Sequence, residues 1–394
     1  MIAEILHDGA RTDLSGCKVL VVDDALGIRK IIGAYLQAAG ISLIDYAVDG
    51  VEGLAKVASF EPDLVILDIM MPEMDGFELC RTLRANPAHK HLPILVETAL
   101  ESPSERTDVF RAGASDVITK PIHGPELIAR VRLQLENRLM IRSLQDYQQR
   151  MQQELKLAQA MQLSLLPQDS HLGCTTQYPG IRVQSLFRPS AALGGDFWLS
   201  RELEPGVVAF AIVDFSGHGV AAALNTFRLH TLMHQLPPPS PLDPAGYLQL
   251  LNTQLVDLLP SGQFATMFLC VVDQNKDSLI WAGAAAPSPI IGTADGLRFL
   301  DASGVPLGIT HKAKYINSTE PFPAGSFLLM YSDALVETPD DQGEELEGEA
   351  LMELTRLAQT VENGQSPLTS LLASAMEGRE TPTDDLTVVW FSRV

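Results

Sequence analysis

At 394 residues the chain is longer than one hydrophobic core normally organises, so two or three domains are expected. With 46% hydrophobic and 20% charged residues it has a globular composition, no apolar run is long enough to span a bilayer, and the first 13 residues are too acidic for a signal peptide. A formal net charge of −21 repels nucleic acid and anionic lipid, which disfavours a DNA-binding output or a membrane partner and suits metal cations.

After an extension over residues 1–16, short apolar runs at 18–22, 44–48, 63–67, 93–97 and 116–119 alternate with amphipathic helical patterns such as 27–39 and 76–85. This alternation over 17–124 predicts a parallel α/β sheet, and the nearly unbroken apolar character of each run predicts strands buried on both faces. Over 125–166 glycine and proline give way to Leu, Met, Gln, Arg and Glu after Pro125. Leu144, Tyr147, Met151, Leu155, Ala158, Met161 and Leu165 recur at three- and four-residue spacing, which predicts a long helix with one apolar stripe, stopped at Leu166-Pro167. Such a stripe either pairs with its copy in a homodimeric coiled coil, modestly because Glu154 interrupts it, or packs on the chain's own domains.

Residues 167–394 return to glycine and proline punctuation. Strand-like runs at 207–213, 266–272, 279–282, 326–331 and 387–391 alternate with helical patterns at 221–236, 247–259 and 350–361, a second α/β domain richer in antiparallel candidates. Residues 237–241 read as a stiff proline loop and 340–349 as an acidic, mobile one. Cys17, Cys80, Cys174 and Cys270 stand far apart without a CxxC, so neither a zinc site nor a disulfide framework is expected, and a reducing, cytoplasmic setting is.

Ligands gather beyond the carboxyl ends of parallel strands. Asp23 and Asp24 end the first run, Asp68 ends the third, Thr98 follows the fourth and Lys120 the fifth. Three crowded carboxylates call for a hard divalent cation such as Mg²⁺, and one of them can attack a phosphoryl group whose oxygens the lysine and hydroxyl would bind. The segments VLVVDD, LVILDIMMPEMDG, VETA and TKP stand in the order and spacing of response-regulator receiver domains, which this region resembles. The resemblance implies a doubly wound, five-stranded flavodoxin-like fold phosphorylated on Asp68 by a histidine kinase or phosphotransfer protein. It further implies Mg²⁺ held by Asp23, Asp24, Asp68 and the Met70 carbonyl, phosphoryl contacts from Thr98 and Lys120, and a cis peptide at Lys120-Pro121. Val117 stands where many receivers carry a switch aromatic, and Met70 and Leu100 are apolar where a polar side chain would orient water. Unusual signal transmission and slow loss of phosphate are therefore expected.

The second domain presents LGGDF, DFSGHG, YSDA and TDDLT. Three of their four acids, among Asp196, Asp214, Asp333 and Asp384, lie at the start or end of a strand-like run, so they can converge on one sheet edge. Such carboxylates suit an octahedral oxygen site for Mg²⁺ or Mn²⁺, and two such ions would activate a bridging water for in-line attack on phosphorus. AQAMQLSLLP, LGGDF, DFSGHGVAAAL, PLGI and TDDLTVV resemble the SpoIIE/RsbU-like branch of the PPM/PP2C phosphatases over 155–394. That resemblance implies an α/β sandwich of sheets flanked by helices and a serine/threonine phosphatase using two Mn²⁺ or Mg²⁺ ions. It implies that Asp214 bridges both metals, that the Phe215 carbonyl ligates one, that Asp333 and Asp384 complete the second, and that Asp196 binds through water or more loosely. Asp385 stands behind the ligands. His218 is either a general acid or hydrogen-bonds its own glycine-rich turn. Ala334, Ala284-Ala285 and Leu199 depart from the branch's usual residues without removing a ligand.

In this branch the substrate is typically a phosphorylated anti-sigma-factor antagonist. The two-domain order also resembles RssB-type regulators of the stationary-phase sigma factor, some of which act as adaptors, so a non-catalytic module binding a sigma factor is the competing expectation. Keeping four mutually repelling acids favours the enzyme, because without metal they cost stability.

Overall fold

The computed structural model describes residues 13–99, 103–167, 178–217, 219–346, 348–359, 366–379, 382 and 384–394. The chain divides into two compact units, Met1–Met151 and Gln152–Val394.

In the first unit, β1 (Lys18–Val22), α1 (Leu26–Ala38), β2 (Leu43–Ala47), α2 (Gly50–Phe60), β3 (Leu64–Asp68), α3 (Gly76–Ala85), β4 (Ile94–Thr98), α4 (Pro103–Ala112) and β5 (Asp116–Thr119) alternate along the chain. The strands form one parallel sheet in the order β2-β1-β3-β4-β5. Side chains alternate between its faces: Leu20, Val22, Val65 and Leu67 pack on one side, Val19, Val21, Leu64 and Ile66 on the other. Aspartates set two helix starts, Asp49 accepting the Glu52 N–H and Asp75 the Glu78 N–H. β2 departs from the expectation of full burial, because it is an edge strand with one partner and Leu43, Asp45 and Tyr46 stay accessible.

α5 (Gly124–Leu163) is a 40-residue helix. Its first turns bury Leu127, Val131 and Leu135 in the first unit's core, whereas Met140, Leu144, Tyr147, Met151 and Met161 are exposed.

The second unit holds β6 (Ile181–Arg188), β7 (Phe197–Glu204), β8 (Val207–Phe215), α6 (Val220–Gln235), α7 (Pro244–Leu258), β9 (Ala265–Asp273), β10 (Ser278–Ala284), β11 (Ile290–Thr293), β12 (Gly296–Phe299), β13 (Ser318–Pro321), β14 (Phe327–Tyr331), α8 (Ala334–Glu337), α9 (Gly348–Gln359), α10 (Pro367–Ala375) and β15 (Leu386–Arg393). Among the described residues these strands make two antiparallel five-stranded sheets, β13-β10-β9-β8-β7 and β12-β11-β14-β15-β6. The sheets face each other across one core, where Phe210 of β8 stacks on Phe391 of β15 with ring centres 4.1 Å apart. α6 and α7 cover the first sheet; α9 and α10 bury Leu351, Leu368 and Leu371 with Trp390 on the second. The start of the acidic 340–349 stretch is a turn built on Asp340, whose carboxylate accepts the Gln342 and Glu344 N–H groups. Among the described residues no helix is long and apolar enough to cross a membrane.

Candidate functional site

Every strand of the first unit except the edge strand β2 sends a polar group to the same end of the sheet. Asp23 and Asp24 follow β1, Asp68 and Thr98 close β3 and β4, and Lys120 follows β5. Oxygens of Asp23, Asp24 and Asp68 lie within 4.8 Å of one another. Lys120 Nζ sits 2.9 Å from Asp68 Oδ2 and 3.2 Å from Asp23 Oδ2. Burial opposes the Lys120 charge, but its hydrogen bond to Asp68 and attraction to Asp68, Asp23 and Glu97 outweigh it and raise its pKa. Asp23 is fully buried, and burial pushes its pKa up despite the Ala25 N–H and Lys120, with repulsion from Asp68 adding to the rise. Buried, crowded and mutually repelling oxygens beside an exposed Asp24 fit a small hard cation.

The backbone is shaped to this pocket. A Cβ on Gly76 would stand 2.3 Å from the Asp68 carbonyl oxygen, so only glycine fits there. The Lys120 N–H donates to the Thr98 carbonyl at 2.9 Å, tying β5's exit to β4, and Lys120-Pro121 is cis. Met70 holds its side chain in solvent, 77% exposed. Val117 packs in the core between the sheet and its helices, and Leu100 lies outside the described residues.

Sequence reasoning passed over Glu97, the β4 residue in register with Asp68. It is fully buried, neither carboxylate oxygen has a hydrogen-bond partner, and burial pushes its pKa up to about 8. One acid inside an otherwise apolar run was the available signal.

In the second unit Asp196 precedes β7, Asp214 lies near the end of β8, Asp333 follows β14 and Asp384 precedes β15, so each acid sits at a strand end. They meet by degrees. Asp196 is buried and within hydrogen-bonding reach of Asp214. Burial and then Asp214 push the Asp196 pKa well up; burial, Asp333 and Asp384 push Asp214 up to about 7. Asp333 is raised by burial, then by Glu337 and Asp384. No three of these acids, all described, bring oxygens within 4.8 Å of one another, the closeness that Asp23, Asp24 and Asp68 reach. The Asp196–Asp214 pair still fits a cation, since Asp196 Oδ2 is buried without a partner and the two carboxylates repel. Asp333 and Asp384 complete the acidic rim around it.

Asp385 is a scaffold rather than a facing ligand. Its buried carboxylate accepts the Ser190 N–H at 2.7 Å, the Ser190 hydroxyl at 3.0 Å and the Gly195 N–H at 2.5 Å. The Phe215 N–H donates to the Gly195 carbonyl at 3.4 Å, which brings β8's end beside the LGGDF loop. His218 lies outside the described residues. Two groups were missed in the sequence: Glu337, which faces Asp333, and Gln162, which is buried against Gly194. A cleft of about 550 Å³ is lined by Ser288, Tyr331, Val336 and Glu337 and, among its lining residues, has none of the four acids. A more enclosed cavity of about 420 Å³, between α6, α7 and the β7–β9 face, is lined by Leu199, Met233 and Tyr247 and contains none of the four acids.

Residues 19–132 match the family model for the response regulator receiver domain, and residues 204–394 match that for stage II sporulation protein E, SpoIIE. The second unit shares its fold with the SiaA-PP2C domain of Pseudomonas aeruginosa, at TM-score 0.53 and 22% identity over 63% of this chain and 99% of that one. The chain joins a receiver domain to a SpoIIE-type PP2C domain. The receiver is 40% identical over 127 residues to the response regulator PleD of Caulobacter vibrioides, covering 32% of this chain and 28% of PleD. It is 46% identical over 115 residues to the response regulator MprA of Mycobacterium avium, covering 29% of this chain and 49% of MprA. The chain thus matches less than half the length of either curated relative, and the shared part is the receiver. The SpoIIE match contains Asp214, Asp333 and Asp384, whereas Asp196 and Gln162 precede it.

Proposed function

We propose that this chain is a two-component response regulator in which phosphorylation of Asp68 controls a metal-dependent serine/threonine phosphatase. The observation that carries this reading is the pairing of two separate acid clusters, one with a lysine at 2.9 Å from the acceptor aspartate and one without. In the receiver, an Asp68 oxygen attacks phosphorus of a phosphohistidine or a small acyl phosphate; the P–O bond to Asp68 forms as the bond to the donor breaks. Lys120 then holds the phosphoryl oxygens that replace its present carboxylate partners, with the Thr98 hydroxyl as second contact. Mg²⁺ held by Asp23, Asp24, Asp68 and the Met70 carbonyl would supply the charge neutralisation that lets an anion approach three acids.

In the PP2C domain, Asp214, Asp196, Asp333, Asp384 and the Phe215 carbonyl would hold two Mn²⁺ or Mg²⁺ ions, which supply a water acidic enough to act as hydroxide. The protein's own part is to hold the acid pair fixed, through Asp385 and the two glycines, and to leave Asp214 and Asp333 partly accessible to a phosphorylated peptide. The substrate we favour is a phosphorylated anti-sigma-factor antagonist, on the resemblance of the LGGDF-to-TDDLTVV series.

The full chain should hydrolyse a phosphoserine protein in Mn²⁺ and stop in EDTA, and Asp214→Asn and Asp384→Asn should each remove activity while the circular dichroism spectrum stays unchanged. A chain that binds Mn²⁺ but turns over neither a small phosphate ester nor any phosphorylated antagonist would leave the adaptor reading in place. Separately, the chain should take phosphate from acetyl phosphate only with Mg²⁺, and Asp68→Asn should take none; phosphate recovered on a histidine would overturn the receiver assignment.

A further inference from the structure

The cavity of about 420 Å³ between α6, α7 and the β7–β9 face takes no part in either acid cluster. Its wall is mostly apolar, built from Leu199, Leu203, Ala209, Met233, Leu269 and Val271, and its size falls in the usual range of small-molecule pockets, about 300–1,000 Å³. Most of the polar groups on that wall are already engaged. The Tyr247 hydroxyl donates to the Met233 carbonyl at 3.2 Å, and Ser200 Oγ accepts from the Tyr178 hydroxyl at 3.0 Å. Asp243, the one carboxylate among the lining residues, accepts the Gly246 N–H at 2.9 Å and the Asn317 amide at 2.7 Å. Burial and then the neighbouring His234 lower the His230 pKa, so that imidazole is neutral at pH 7.

Arg201 is different. It is the one permanent cation among the lining residues, it is exposed, and it makes no hydrogen bond or ion pair with any described residue. Burial holds the Tyr247 phenol up at about 12, while attraction to Arg201 acts to lower it, which puts the guanidinium close to the cavity's Tyr247 wall. In a chain with 49 acidic side chains against 28 Lys and Arg, this cation is left without a carboxylate. We propose that the cavity binds a small amphipathic carboxylate, its apolar body between the helices and the sheet and its head on Arg201. A guanidinium offers a carboxylate two parallel N–H donors. A wall with one cation and one carboxylate suits a singly charged head better than a phosphate ester, which carries nearly two charges at neutral pH. The proposal does not depend on the phosphatase reading.

The test is titration calorimetry of the full chain with octanoate, in EDTA so that neither acid cluster holds metal. Octan-1-ol and octyl phosphate serve as the neutral and the more highly charged counterparts. Octanoate should bind about tenfold or more tightly than octanol, because its head adds a hydrogen bond between charged groups. Arg201→Gln should weaken octanoate by about that factor and leave octanol unchanged. Arg182→Gln, the same loss of charge at an exposed position of β6, should change neither. Ala209→Phe, which fills the cavity from β8, should weaken both. If that variant fails to fold, the exposed Arg201→Gln decides alone. The proposal is overturned by octanoate binding no tighter than octanol, by octanoate binding undiminished in Arg201→Gln or in folded Ala209→Phe, or by no binding of any of the three. Tighter binding of octyl phosphate that Arg201→Gln removes would also overturn it, making the head a phosphate monoester.

Discussion

Glu97 shows how far a single residue can depart from its surroundings. It lies in register with Asp68, fully buried, with no hydrogen bond to either oxygen. A buried polar group without a partner costs about 1–3 kcal/mol. Replacing it with methionine, similar in length and apolar, should stabilise the receiver by about that much at pH 8 in EDTA, measured by denaturant unfolding. Burial lifts the folded-state pKa from 4.5 to about 8, so across that interval the folded protein binds more protons than the unfolded one. Wild-type stability therefore falls as pH rises through the interval, and the advantage of Glu97→Met should shrink toward pH 4.5. An advantage independent of pH would mean that Glu97 is not held protonated. Met70 makes a kinetic counterpart. Its side chain reaches solvent without offering a hydrogen bond, so Met70→Asn should speed loss of phosphate from Asp68, read as a shorter half-life of the phosphorylated chain. Equal half-lives would show that water access is limited elsewhere.

Among the elements, α5 carries the clearest unspent surface. Leu144, Tyr147 and Met161 are 62%, 59% and 63% exposed, and Leu155 and Ala158 are half-buried. We expect this stripe to pair with a second copy of the chain, giving a dimer by light scattering; a monomer in both phosphorylation states would exclude it. If α5 transmits as a rod, one residue inserted beside Gln148 rotates the C-terminal part of the helix by about 100° and should uncouple phosphorylation from phosphatase activity. Seven inserted residues, nearly two turns, should largely restore coupling. Elements of this kind were legible in the sequence because their pattern is long or unbroken. β1, β3, β4, β8 and β9 came within one or two residues, since continuous apolar runs mark strands covered on both sides. β6 and β7 were not recognised, because Gln184, Ser185, Arg201 and Glu202 dilute their apolar content and their alternation becomes visible only once β15 and β8 are known to flank them. The acids were legible because each falls at a strand end; Gln162 was not, because a glutamine in a glutamine-rich helix looks like any solvated one until Gly194 is seen against it.

For the molecule as a whole, the acid clusters are paid for in metal-free stability. In EDTA, Asp214→Asn should stabilise the PP2C domain against unfolding by an amount on the order of 1 kcal/mol, because it removes burial of a carboxylate and its repulsion from Asp333 and Asp384. Saturating Mn²⁺ should stabilise the wild type by about 2.7 kcal/mol at a hundredfold excess over Kd and leave Asp214→Asn little changed, readings available from thermal melts. A wild-type melt indifferent to Mn²⁺ would mean that the acids hold no metal.

The edge position of β6 has a consequence in time. Among the described residues its one strand partner is β15, and the pairs Arg188–Leu386 and Ile181–Arg393 are 198 and 212 residues apart in the sequence. At about 5–20 residues per second, the ribosome delivers the partner roughly 10–40 s after β6 itself has been made. Throughout that interval the strand following α5 has open hydrogen-bonding edges, and Asp384 does not yet exist to join Asp214. Under the proposed function, a nascent chain completes its receiver well before the acids of the PP2C domain can assemble, so hydrolysis should not begin until synthesis is nearly finished.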